Sequence, residues 1–153
     1  MDDTGSNMLL REVCRNAGKS KFLLQQLNEP DVLIYTDWTV RVITRKMSEQ
    51  IPADNPHGVD VRRVYDSEYA LSSVITMKPG EKLIRHITPV DVFFYVLEGS
   101  GTVEVGEEKK TVSTDTVIES PAGIPHCWYN ESTKDLRVLV VKVPRPTSKT
   151  QLL

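Results

Sequence analysis

From residue 59 to residue 143 the chain is a succession of short segments rich in β-branched and aromatic residues, closed by turn residues and separated by no helical stretch. This pattern constrains the fold most. Strand-like runs fall at 59–65, 71–77, 83–88, 92–97, 101–105, 110–112, 116–119, 127–130 and 136–143, with a hairpin expected to turn on Gly106. Many short strands at regular spacing cannot be accommodated in a parallel sheet, which needs crossover helices. They predict an all-β antiparallel sandwich or barrel. The β texture begins earlier, at 32–35 and 38–44, where Val40 and Val42 alternate with Arg41 and Ile43. Between 51 and 58, Pro52, Asp54, Asn55, Pro56 and Gly58 mark a loop.

The amino-terminal region reads differently. Leu9, Val13 and Ala17, with Leu10 and Cys14, sit at helical spacing until Gly18, and 22–27 reads as a second helical piece stopped by Asn28-Glu29-Pro30. The expected organisation is a tail and cover over 1–30, one β-barrel domain over 31–146 and a tail over 147–153. A length of 153 residues is enough for one domain with a full core.

Charge and composition narrow the partners. A formal net charge of −2 gives no concentrated basic surface for nucleic acid, since Arg62-Arg63 and Lys109-Lys110 are short pairs beside acids. No apolar run is long enough to cross a bilayer, and the acidic start lacks the basic and apolar segments of a secretory signal. Cys14 and Cys127 are far apart and form no C-x-x-C pair, so free thiols in a reducing cytoplasm are expected.

The chain has three histidines. His57 lies in the 51–58 loop and is expected to be exposed. His86 and His126 lie in strand-like settings with turn punctuation on either side. A metal pocket in a barrel draws imidazoles or carboxylates from inward positions, which recur at i and i+2 along a strand. By that alternation Thr88 shares the inward face with His86, Phe94 and Val96 share it with Val92, and Trp128 shares it with His126. Phe94, Tyr95 and Trp128 are either the lining of an aromatic pocket or barrel core and dimer surface. Cys127 faces away from its neighbour His126, which argues against a Cys-His nucleophile pair.

Two stretches, PGEKLIRHITPVDVFFYVLEGSG and PAGIPHCWYN, resemble the two motifs of the cupin superfamily, written G-x5-H-x-H-x3,4-E-x6-G and G-x5-P-x-G-x2-H-x3-N. Gly80, His86 and Gly99 match the first; Pro121, Gly123, His126 and Asn130 match the second. The resemblance covers 72–143 and implies a jelly-roll β-barrel and a homodimer with residues of 32–45 among its contacts. It also implies a divalent metal (Fe, Zn, Mn or Ni) held by three histidines and a glutamate. Here the second histidine position is Thr88, the glutamate position is Val92, and the glycine that opens the second motif is missing, with Asp115 in its place or one residue inserted after a Thr114-Asp115 turn. Threonine is a poor ligand for these metals and valine is none. If irregular backbone beside Pro89 turned Asp91 inward, His86, His126 and Asp91 would form an open site.

Two readings of function follow from the resemblance. One is a small-molecule-binding protein with a degraded metal site and a pocket formed by His86, Thr88, Val92, Phe94, His126 and Trp128. The other is a metal-dependent enzyme of dioxygenase, isomerase or lyase type with His86 and His126 as ligands.

Overall fold

The computed structural model describes residues 21–23, 33–35 and 42–153. The helical reading of 8–17, the residue Cys14 and the expected strand residues 38–41 lie outside the described residues. The chain divides into two compact units, Met1–Thr44 and Arg45–Leu153. In the first, β1 (Lys21–Leu23) pairs antiparallel with β2 (Leu33–Tyr35), Phe22 opposite Ile34. The expected helical piece at 22–27 therefore opens inside a strand. Residues 42–44, expected as strand, form none, and Val42 and Ile43 stand exposed.

The second unit is two five-stranded antiparallel sheets. After a single 3-10 turn (Met47–Glu49), one sheet is built from β3 (Asp60–Asp66), β4 (Leu71–Met77), β11 (Leu136–Val143), β6 (Asp91–Glu98) and β9 (Val117–Ser120), in that spatial order. The other runs β12 (Gln151–Leu152), β5 (His86–Ile87), β10 (Pro125–Tyr129), β7 (Ser100–Val105) and β8 (Glu108–Ser113). This is the jelly-roll architecture that the resemblance implies. No helix among the described residues is long and apolar enough to cross a membrane.

Alternation builds the core. On β6 the buried residues are Val92, Phe94 and Val96, and on β11 Leu136, Val138 and Val140; these pack with Met77, Val103, Val112 and Trp128. Burying each large side chain contributes roughly 1.5–3 kcal/mol. The β7–β8 hairpin turns on Gly106 at φ 61, where the two-residue loop needs a left-handed backbone that glycine adopts without steric cost. Edge strand β8 keeps Glu108, Lys109 and Lys110 exposed, and these charges discourage pairing with another chain. Gly99 has a different necessity: at φ 84, a Cβ there would collide with the Asp135 carbonyl where β11 begins.

The matched asparagine of the second motif is a strut. Asn130 Nδ2 donates to the Met77 and Lys134 carbonyls at 2.8 Å each, and its Oδ1 accepts from the Ser132 amide and hydroxyl. Asp115, in the place of the motif's glycine, adopts φ 65, the one positive value at a non-glycine among the described residues. Aspartate is one of the few residues that tolerates this region.

Candidate functional site

His86 and His126 are direct cross-strand partners where β5 meets β10. The loop between β9 and β10 is locked to the first stretch by Gly123 N–H donating to the Thr88 carbonyl at 3.0 Å. The two stretches that are separated in sequence therefore share one end of the barrel. Their imidazoles meet edge to face, with centroids 4.4 Å apart.

A third imidazole joins them. His57, expected as an exposed loop residue, is half-buried with its ring centroid 4.8 Å from that of His86. Asn55 makes this placement: its Nδ2 donates to the Ala53 and Val59 carbonyls and its Oδ1 accepts the His57 amide, folding the loop over the barrel end. Ile84 then fixes two tautomers. Its N–H donates to His57 Nδ1 at 3.0 Å, and its carbonyl accepts from His86 Nδ1 at 2.7 Å. A neutral imidazole has one donor and one acceptor. His57 accordingly presents an Nε2–H donor, and His86 presents an Nε2 lone pair. His126 Nδ1 is hydrogen-bonded to Ser120 Oγ at 2.8 Å.

All three rings are neutral at pH 7. Burial, helped by the Lys142 ammonium and by the repulsion a protonated His86 would add, brings His126 down to about 3. The same causes bring His57 down to about 4. His86 is lowered too, because burial outweighs its hydrogen bond to Ile84.

The imidazoles line a cavity of about 400 Å³ with Val61, Leu71, Ile75, Leu83, Phe94 and Val140 as apolar wall. That volume is ordinary for a small organic ligand. The wall next to His86 comes from the carboxyl-terminal segment, read from sequence as a tail. β12 pairs with β5, Leu152 opposite His86, and brings Lys149, Thr150 and Leu152 to the cavity.

The expected pocket residues divide. His86, Phe94 and His126 lie on the cavity wall. Thr88 and Trp128 are almost wholly buried, but neither lies on that wall. Trp128 packs edge to face on Phe94 at 5.6 Å, in the core. Val92 is buried on the inward face and borders a separate depression with Asp91 and Pro121. Thr88 Oγ1 and Trp128 Nε1 are buried with no hydrogen-bond partner among the described residues. Cys127 faces away from His126, as alternation requires; its Sγ donates to Tyr129 Oη, and burial pushes the thiol up.

Asp91 does not join the histidines, contrary to its candidate role as third ligand. It is exposed, and its Oδ1 accepts the Ala122 N–H at 2.8 Å. The physical reason is regular pairing: β6 stays in register with β11 from Asp91 through Val96, so no bulge rotates the side chain inward.

The residues present do not fit the four-ligand metal centre that the resemblance implies. Thr88 and Val92 supply no ligand, His57 offers a proton at Nε2 instead of a lone pair, and Asp91 is committed to Ala122. Among the described residues no group of three or more His, Cys, Asp or Glu side chains is arranged to hold a metal ion.

Residues 73–142 match the family model for the cupin domain. The chain belongs to the cupin superfamily. Among solved structures, this cupin is similar to the protein TT1209 from Thermus thermophilus, at 32% identity and TM-score 0.59 over 67% of this chain and 98% of that one. It is also similar to the polyketide cyclase RemF from Streptomyces resistomycificus, at 18% identity and TM-score 0.64 over 74% of this chain and 86% of that one. The latter likeness shows the fold alone. A curated relative, the uncharacterized protein SCO3923 from Streptomyces coelicolor, is 39% identical over 54 residues, which are 35% of this cupin and 50% of the relative. The match thus spans about half the length of that relative.

Lys142 and His57 were not reached by sequence reasoning. Lys142 continues the inward series Leu136, Val138, Val140 on β11, a signal that was present in the alternation. His57 has no such signal, because its placement depends on Ile84 in another part of the chain.

Proposed function

We propose that this cupin binds a small organic molecule in the cavity beside His57, His86 and His126, without a tightly held metal. One observation carries the reading: a largely apolar cavity of about 400 Å³ converges on three imidazoles, while the family's remaining metal positions hold Thr88 and Val92. The wall excludes water from an apolar ligand body. His57 Nε2–H and His86 Nε2 offer one donor and one acceptor to orient a polar group, the few-polar-groups arrangement of a specific ligand site.

A metal-dependent enzyme of dioxygenase, isomerase or lyase type is the second reading. It is favoured by the direct pairing of His86 with His126. Two imidazoles without a carboxylate leave it less well supported, because most divalent sites draw on negative charge or a third strong ligand.

The test is a thermal-shift screen of small organic acids, sugars and aromatic compounds against the full chain and its Ser73→Phe variant. Ser73 lines the cavity from β4, opposite Val140, so the larger side chain fills the space. Hits on the unaltered protein that vanish in the variant, with its circular dichroism unchanged, are expected. Hits that survive Ser73→Phe, or a screen with none, contradict the reading.

A further inference from the structure

One charged side chain enters the barrel at the cavity. The inward series on β11 is Leu136, Val138, Val140 and Lys142, three aliphatic residues and then an ammonium. Lys142 Nζ donates to Thr150 Oγ1 at 3.3 Å, which leaves further N–H donors unused. None of the ion pairs among the described residues includes Lys142. No aspartate or glutamate lies on the cavity wall, whereas a second lysine, Lys149, does.

We propose that Lys142, steadied by Thr150, anchors the carboxylate of a ligand whose apolar body lies against Phe94, Ile75 and Val140. This rests on the small-molecule reading above and names the chemical class of its ligand.

The register makes the case sharper. Lys142 is the direct cross-strand partner of Val92, the position at which the resemblance implies a carboxylate metal ligand. The chain has a neutral side chain there and a cation beside it. The sign of the site is thereby reversed: an arrangement that would attract a metal cation has become one that repels it and attracts an anion. The neutral imidazoles neither compete with Lys142 for the anion nor neutralise it, and His57 Nε2–H supplies a further donor.

A half-buried ammonium without a counter-ion is costly, and folding has already incurred that cost. An incoming carboxylate then gains a charge-assisted hydrogen bond in surroundings of low dielectric. The class is narrowed by what else lines the cavity. One half-buried cation among aliphatic walls suits a monoanion with an apolar body, whereas a phosphate dianion would call for a cluster of donors.

The experiment is isothermal titration calorimetry at pH 7 with octanoate and octanamide, which share a body and differ in charge. Octanoate is expected to bind the unaltered protein at least about tenfold more tightly, the ratio typical of a hydrogen bond to a charged group. Lys142→Met should remove that advantage and leave octanamide unchanged, while Lys78→Met, at an exposed lysine away from the cavity, should leave both unchanged. Equal affinities for acid and amide in the unaltered protein overturn the assignment but leave the small-molecule reading standing. An acid preference that survives Lys142→Met also overturns it. Binding of neither compound overturns the assignment, and the small-molecule reading then stands or falls with the ligand screen. The acid–amide comparison uses the unaltered chain, so it decides the matter even if a variant fails to fold.

Discussion

At the scale of the residue, Asp115 shows how one side chain can replace a glycine by supplying its own compensation. Its left-handed backbone is strained for an L residue, at φ 65. Two contacts hold it there: its amide donates to the Val96 carbonyl at 3.0 Å, and its Oδ1 accepts from Tyr95 Oη at 2.8 Å. Asp115→Ala keeps the strain and loses the Tyr95 contact, so a loss of about 1–2 kcal/mol is expected. Asp115→Gly loses the contact but also removes the strain, and should cost less. Urea unfolding of the two variants checks the order; an alanine variant as stable as the glycine one would contradict it. Thr88 and Val92 matter at the same scale for the opposite reason, since each removes a ligand and nothing nearby replaces it.

At the scale of the element, legibility followed side-chain alternation. β4 and β11 fall at their expected bounds, 71–77 and 136–143, because each reads as a run of strand-forming residues with sharp ends. β5 shrinks to two residues from an expected 83–88, as only His86 and Ile87 find regular ladder partners. β12 was invisible because its pairing with β5 is set by the rest of the barrel, while its own composition is that of a tail. The same division holds for the site. His86 and His126 were legible from motif spacing, and their pairing follows from two strands that the fold must bring together. His57 was not legible, because a loop histidine is drawn inward only by the Asn55 bonds and the distant Ile84 amide. An inward Asp91 needs an irregularity beside Pro89, whereas the β6–β11 ladder is regular from Asp91 to Val96 and shifts register only between Arg137 and Val138.

At the scale of the whole molecule, the cavity makes stability depend on pH. His57 and His126 are held at about 4 and about 3, and His86 is lowered as well. Below the ordinary histidine value of 6.5 the unfolded chain takes up protons that the folded barrel refuses, so stability is lost as pH falls. Lys142, depressed by burial, acts in the same direction but at alkaline pH, and the lowered carboxylates Asp66 and Glu104 act only in stronger acid. Between pH 7 and pH 5 the histidines therefore dominate, each fully buried one steepening the loss toward about 1.4 kcal/mol per pH unit. Urea midpoints measured at pH 7, 6 and 5 should fall steadily; a flat or rising series would mean that the rings protonate freely in the folded state.

The proposed reading, an organic ligand in the pocket without a tightly held metal, makes a definite prediction about metal content. The most direct test is the metal content of the full chain, purified without chelators or added metal, by mass spectrometry of the elements. Iron, zinc, manganese and nickel are predicted at background, and unchanged in a His86→Ala/His126→Ala double variant. A near-stoichiometric amount of one of these metals that disappears in the double variant would contradict that reading.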